Sequence, residues 1–371
     1  MKNVRRVVVK VGTAVLTDAQ GRLDRQLVGR ISRQLGGLAQ NGLKVTLVTS
    51  GAVGAGMGIV GLPNRPRSLP MLQACAAVGQ PTLMDLYARG FARCALHAGQ
   101  VLVTRTDFEQ RVRYINIRNT VDALHRIGAV AVINENDTTA VDELDRFADN
   151  DTIAALLTNL LRADLLVLLT VVDGLLTAKG QLIDLVSRVD EGILGYAQTR
   201  RTALGSGGMA SKLEAVRLVT EAGEAAIVAN GRTPDVLTRL LAGDRIGTFF
   251  APADRKLSAR HRWIRSAVRP AGTLVIDAGA ARAVLENGKS LLARGITEVV
   301  GAFRRGSVVR LVDPAGHTLA HGLSNYSDAE LQKIRGLTSA QIAEVLTDRP
   351  PTEAVHRDNL VLIAGSGPGT R

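Results

Sequence analysis

Leu165-Leu166-Val167-Leu168-Leu169-Thr170 is apolar at every position before its closing threonine. A strand with one wet face alternates apolar and polar residues. A run that is apolar throughout fits a parallel strand covered by helices on both faces. Other short β-rich runs precede and follow it, at Val4 to Val9, Leu43 to Val48, Val101 to Val103, Val130 to Ile133 and Ala225 to Val228, with longer helical patterns between them. This alternation predicts an α/β fold, a mostly parallel sheet between helical layers. Ligands of such sheets bind beyond the carboxyl ends of the strands. The polar residues collect there: Lys10 after the first run, Thr49-Ser50-Gly51 after the second, Asn134-Glu135-Asn136-Asp137 after the fourth and Thr170 after the fifth.

A different pattern begins at Gly272. Thr273 to Ile276, Val299 to Phe303, Ser307 to Val312 and Gly316 to Gly322 read as short strands between glycine turns, followed by a helical pattern at Ser327 to Lys333. That pattern predicts a small β-rich barrel. Pro252 to Pro270 is basic and holds the single tryptophan, Trp263. The expected organisation is an α/β domain at 1–262, a linker at 263–271, the β-rich domain at 272–350 and a tail at 351–371. A chain of 371 residues suits one large and one smaller domain.

Hydrophobic residues make up 46% and charged residues 22%. No apolar stretch has bilayer length and the start lacks signal-peptide character, so a cytoplasmic protein without membrane contact is expected. Cys75 and Cys94 are the only cysteines and lack metal-ligand spacing, which leaves small buried hydrophobes as their reading. The net charge is +12, and Asp254 to Arg310 holds 12 Lys or Arg against 4 Asp or Glu. Charge alone does not separate a nucleic-acid surface from a solvated basic face.

The loops carry the chemistry. Lys10 delivers a cation to a strand tip, Gly12 lets phosphate oxygens approach the backbone, and Thr13 adds a hydroxyl and an amide. Gly205-Ser206-Gly207-Gly208-Met209-Ala210-Ser211-Lys212 is a glycine turn running into a helical pattern, an arrangement suited to phosphate. It is not a Walker loop, because no glycine directly precedes Lys212 and no strand immediately precedes the turn. Thr49 to Gly56 supplies flexible backbone with N–H groups for an anion. Gly56, Gly58 and Gly61 match a dinucleotide fingerprint, but the strand ends well upstream and no acid follows at about 20 residues. Asn134 to Thr139 is dense in acceptors and amides beside an apolar strand, a composition that rarely serves packing. Asp149-Asn150-Asp151 opens a helix and reads equally as a cap. Beside two lysines, an aspartate would lower its own pKa and hold both ammonium groups in place.

The six histidines are scattered, with no serine, histidine and aspartate set, so hydrolase chemistry lacks support. A carboxylate acceptor explains the shortage of bases, since a side-chain carboxyl with pKa about 4.3 is already ionised at neutral pH. Its approach to a phosphate needs fixed cations, because two unit charges 4 Å apart interact by roughly 4 kcal/mol at an effective dielectric of 20. Lys10, Lys212 and a magnesium ion meet that need.

The ordered set KVGTAVL, VTSGAVGAG, INENDTT, ADND, LLT and GSGGMASK resembles the amino acid kinase family, in its glutamate-phosphorylating branch. GITEVVGAFRRGSVVRLVD, GLSNYS and EAVHRDNLVL resemble the PUA domain appended to many bacterial enzymes of that branch. The resemblance implies an αβα sandwich that transfers the γ-phosphoryl of ATP to the γ-carboxylate of L-glutamate, giving L-glutamyl 5-phosphate, the first step of proline synthesis, with proline as feedback inhibitor. It implies a catalytic set of Lys10, Lys212 and Asp151, the lysines on the phosphates and the aspartate organising them. Ser50, Gly51, Asn134, Asp137 and Asn150 would hold glutamate. Lys10, Gly12, Thr13, Thr170, Val171 and the loop Ser206, Gly207, Gly208, Met209, Ala210, Ser211 and Lys212 would hold ATP, with Mg2+ carried by its phosphates rather than by protein ligands. A homo-oligomer and RNA at the PUA domain are further expectations.

Three positions depart from the family pattern: Val171 replaces the usual Asp, Ala148 the usual Gly, and Thr177 to Gly180 lacks an Asp-Pro pair, predicting a shortened loop and altered ATP affinity. The competing readings are a sister kinase with another acceptor and an RNA-binding or regulatory protein whose kinase domain has decayed. Retention of both lysines and the acid argues against decay.

Overall fold

A computed structural model describes residues 3–18, 21–139, 150–198, 208–254, 256–346 and 352–363. The chain forms two compact units, Met1–Lys256 and Leu257–Arg371.

The first unit is built on strands β1 (Arg6–Val11), β2 (Lys44–Val48), β3 (His97–Val103), β4 (Ala129–Glu135), β5 (Leu165–Thr170), β6 (Leu185–Val186), β7 (Ala225–Asn230) and β8 (Thr248–Phe250). They form one sheet in the order β3-β4-β2-β1-β5-β7-β8-β6. Every pairing from β3 to β7 is parallel, and β8 runs antiparallel to β7. The expected parallel α/β sheet is therefore present. β6 and β8, which the sequence reading lacked, extend one edge with two- and three-residue strands.

Burial explains the apolar runs. In β5, Leu165, Val167 and Leu169 point into a core with Val7, Val9, Val11, Ile31, Leu35, Leu83, Tyr87 and Phe91. Leu166 and Leu168 alternate to the opposite face and are equally buried. The helix Arg25–Gln40 faces the first core because Leu27, Val28, Ile31, Leu35 and Leu38 fall on one stripe, and the Asp24 side chain caps it by accepting from the Leu27 N–H.

The second unit contains β9 (Gly272–Ile276), β10 (Leu291–Leu292), β11 (Ile296–Val300), β12 (Val308–Val312), β13 (Thr318–Ser324) and β14 (Glu353–Leu362) in the order β10-β14-β13-β12-β9-β11. Its own core includes Leu274, Ile276, Val309, Leu311, Tyr326 and Ile334. Two boundaries differ from expectation. The supposed linker at 263–271 is not an exposed tether: Trp263–Ala267 is helical, and Trp263, Ile264 and Ala267 are buried within this unit. The supposed tail from 351 contains β14, paired with β10 and β13, with Ala354 and Val355 in the core. Both segments carry several charged or polar residues, which disguised them in the sequence.

Candidate active site

The tips of β1, β2, β4 and β5 lie side by side in the sheet and carry the polar residues. Lys10, one residue short of the end of β1, has only 4% of its surface exposed and places Nζ 2.8 Å from Asp151 Oδ1. Asp151 is fully buried in the first turn of the helix Asn150–Leu161. Its other oxygen, Oδ2, accepts from Lys212 Nζ at 2.9 Å. Lys212 comes from the helix Met209–Thr220, entered through Gly208. The three expected catalytic residues therefore converge, although 61 residues separate Asp151 from Lys212. Burial alone would push the Asp151 carboxyl up, but Lys10 and Lys212 outweigh it and hold it well below the usual carboxylate range.

Backbone and hydroxyl groups surround this triad. The Gly12 N–H donates to Leu169 O at 3.4 Å, joining the loop after β1 to β5, and a Cβ on Gly12 would stand 3.5 Å from Lys10 Nζ. Thr13 opens the short helix Thr13–Leu16. Ser211 Oγ donates to Gly208 O at 3.1 Å and lies 3.4 Å from Asp151 Oδ2. Met209 and Ala210 fill the turn between them. Thr170 ends β5, its carbonyl accepting from the Gly231 N–H at 2.8 Å, and Val171 follows with 43% exposure. Ser206, Gly207 and Ala148 lie outside the described residues.

A second cluster consists of amides. Asn150 Nδ2 donates to Ser50 Oγ at 2.9 Å and lies 3.4 Å from Asn134 Oδ1. Asn150 is adjacent to Asp151 in the chain, so this cluster adjoins the lysine pair. Gly51 takes φ +104°, a left-handed value that favours glycine, and turns the chain from β2 into the helix Ala52–Val60. Beneath that turn, Thr49 Oγ1 and the Tyr87 hydroxyl meet at 2.8 Å, and burial raises the Tyr87 pKa although the Thr49 bond lowers it. Asp137 is half-buried in the turn 137–139 beyond β4.

Three residues escaped the sequence reading. Arg232 Nη2 donates to Thr17 O at 2.7 Å and Ala14 O at 3.2 Å, strapping the loop after β1. Asn230 Nδ2 donates to Asp173 Oδ1 at 2.9 Å, placing an acid two positions beyond Val171. Gln80 Oε1 accepts from Asn134 Nδ2 at 2.8 Å. The signals were present but weak: an asparagine and an arginine just past an apolar run, and one of two glutamines in a largely apolar helix. Thr177 to Gly180 forms a tight turn, closed by Gly180 N–H to Thr177 O at 2.9 Å.

Among the described residues no three His, Cys, Asp or Glu side chains gather to hold a metal ion, and both Asp151 oxygens face ammonium groups.

A parallel sheet with one buried cation at a strand tip and a second from a glycine-entered helix, both on one carboxylate, has the construction of a phosphotransferase. Residues 5–230 match the amino acid kinase family and residues 272–346 match the PUA domain. The chain is 44% identical over 369 residues to a glutamate 5-kinase of Citrifermentans bemidjiense, covering 98% of this chain and 99% of that protein. It is 47% identical over 369 residues to a glutamate 5-kinase of Gloeobacter violaceus, covering 96% and 99%. The chain belongs to the amino acid kinase family and carries a PUA domain.

Proposed function

We propose that this protein transfers the γ-phosphoryl group of ATP to the γ-carboxylate of L-glutamate, forming L-glutamyl 5-phosphate and ADP. The convergence of Lys10 and Lys212 on the buried Asp151 carboxylate carries this reading. Two fixed cations, one at a strand tip and one from a glycine-entered helix, offset the repulsion between an anionic acceptor and an anionic phosphate, and Asp151 keeps them in register without rearrangement during reaction. The acceptor oxygen attacks phosphorus as the bond to the bridging oxygen of ADP breaks. No general base is required, because the carboxylate has no proton to lose.

In this reading Ser50, Gly51, Asn134, Asp137 and Asn150 hold glutamate, and the Asp137 carboxylate suits its α-ammonium group. Gly12, Thr13, Thr170, Val171 and the segment 206–212 hold the nucleotide. Magnesium arrives on the phosphates of ATP and neutralises their charge. Proline as feedback inhibitor, RNA as partner of the PUA unit, a homo-oligomeric form and a cytoplasmic setting belong to the same proposal.

The test is ADP release with magnesium-ATP and L-glutamate, trapping the acyl phosphate with hydroxylamine and using N-acetylglutamate, aspartate and carbamate as controls. Glutamate-dependent hydroxamate equal to the ADP formed is the expected result. Turnover confined to a control acceptor would change the substrate, and absence of turnover with every acceptor would overturn the reading.

A further inference from the structure

The hydrogen bonds of the amide cluster fix the direction of each side chain from one backbone group. The Glu135 N–H donates to Asn134 Oδ1 at 2.9 Å, which sets the oxygen end of Asn134. Asn134 Nδ2 then points to Gln80 Oε1 at 2.8 Å, which sets the oxygen end of Gln80. Gln80 Nε2 is left buried with no hydrogen-bond partner. Asn150 is directed in the same way, its Nδ2 engaged with Ser50 Oγ and Asn134 Oδ1, which leaves Asn150 Oδ1 buried and without a partner. Leaving buried polar groups unmade is costly, and each calls for a reason. Here one connected cluster leaves over one donor and one acceptor. An α-amino acid presents their complements on a single carbon, a carboxylate that only accepts and an ammonium that only donates.

We propose that Gln80 is a substrate-binding residue, its Nε2 donating to the α-carboxylate of the amino acid acceptor while Asn150 Oδ1 accepts from the α-ammonium. The proposal rests on the reading of the Ser50, Asn134 and Asn150 cluster as the acceptor site. The order of contacts selects the α- rather than the γ-carboxylate. From the lysine pair it runs through Asp151 to the adjacent Asn150, then to Asn134, and ends at Gln80, the position farthest along the chain of contacts from the phosphoryl-accepting end. Packing holds Gln80 there. The preceding Gly79 lies so close to the Ala52 carbonyl that a Cβ would come within 1.9 Å of its oxygen, pinning this turn of the helix Leu69–Ala92 against the start of the helix Ala52–Val60, next to Ser50 and Gly51.

Gln80→Glu isolates the unpartnered donor, because glutamate retains the length and an oxygen for Asn134 while replacing Nε2 with an anionic oxygen. Steady-state kinetics should show the glutamate KM rising by on the order of tenfold or more, the size of losing a hydrogen bond to a charged group, with the ATP KM unchanged. Gln80→Met removes both polar ends. It should lower kcat/KM for L-glutamate by a similar factor more than it lowers that for 4-aminobutyrate, which lacks the α-carboxylate and reports only the loss of the Asn134 contact. Asn134→Ala is the control for the cluster. A normal glutamate KM in Gln80→Glu, beside a raised one in Asn134→Ala, would overturn the role of Gln80 alone. Normal values in both would overturn the assignment of the cluster as well. Equal losses on L-glutamate and 4-aminobutyrate in Gln80→Met would reduce Gln80 to a structural residue.

Discussion

Asp151 has no room to act alone. Its carboxylate is fully buried, and its two oxygens face Lys10 and Lys212 at 2.8 and 2.9 Å. Desolvation favours the neutral acid, and the two ammonium groups reverse that preference. The folded pKa therefore lies below the unfolded value of about 3.9, so the stabilisation is complete above that pH and is lost as pH falls toward the folded value. Asp151→Asn should lose about 3–5 kcal/mol at pH 7, because two buried cations would lose their counterion. Urea unfolding at neutral pH and near pH 3 should show the gap to the native protein narrowing in acid, and a pH-independent gap would contradict the argument. Lys10→Ala and Lys212→Ala should each lower turnover by roughly two to three decades, comparable with losing a transition-state donor, as measured by ADP release. A near-normal rate in either variant would remove that lysine from the chemistry. Lys10, Asp151 and Lys212 were each visible in the sequence as a charge at a strand tip, a helix start or a glycine turn. Gln80 was not, because its significance depends on Asn134, 54 residues away.

The elements that frame the site were legible to the extent that burial is uniform. β1, β2, β4, β5 and β7 are apolar because helices cover both their faces, and each was expected within a few residues. β14 was not read as a strand, since Glu353, His356, Arg357, Asp358 and Asn359 interrupt its apolar pattern where the structure leaves them partly or fully exposed. Sequence could not show how closely the helices Ala52–Val60 and Leu69–Ala92 approach. A Cβ on Gly56 would lie 1.8 Å from Cys75 O, and one on Gly79 would lie 1.9 Å from Ala52 O and 2.4 Å from Gly56 N. Rigid backbone atoms are met in both cases, so the helices must separate to admit a methyl group. Gly79→Ala should cost about 1–3 kcal/mol of stability by overpacking, read as a lower midpoint in denaturant. The same displacement moves the Ser50-Gly51 turn, so the glutamate KM should rise more than the ATP KM. An unchanged midpoint would mean that the helix pair yields without strain.

Each unit has a core drawn from its own residues, Val7 to Leu240 in the first and Leu274 to Val355 in the second. The division falls between Lys256 and Leu257, ahead of the boundary at 262 expected from the sequence. Arg262 explains the displacement. A basic residue in a basic stretch reads as linker, yet Arg262 is 2% exposed and its Nε donates to Leu257 O at 2.9 Å within the second unit. Lys256, by contrast, pairs with the buried Glu224 of the first unit at 2.8 Å. A fragment of residues 1–256 therefore keeps the β1, β2, β4 and β5 tips, both lysines, Asp151 and the counterion of Glu224, and leaves no half of the second core exposed. It should be soluble, melt in one cooperative transition and retain glutamate-dependent ADP formation. A fragment ending at 262 should melt no higher, because the added residues make their contacts in the missing unit. Loss of the cooperative transition in 1–256 would show that the first unit depends on the second for folding. A folded 1–256 fragment without turnover would place part of the catalytic requirement in the second unit, which no residue of the lysine and amide clusters predicts.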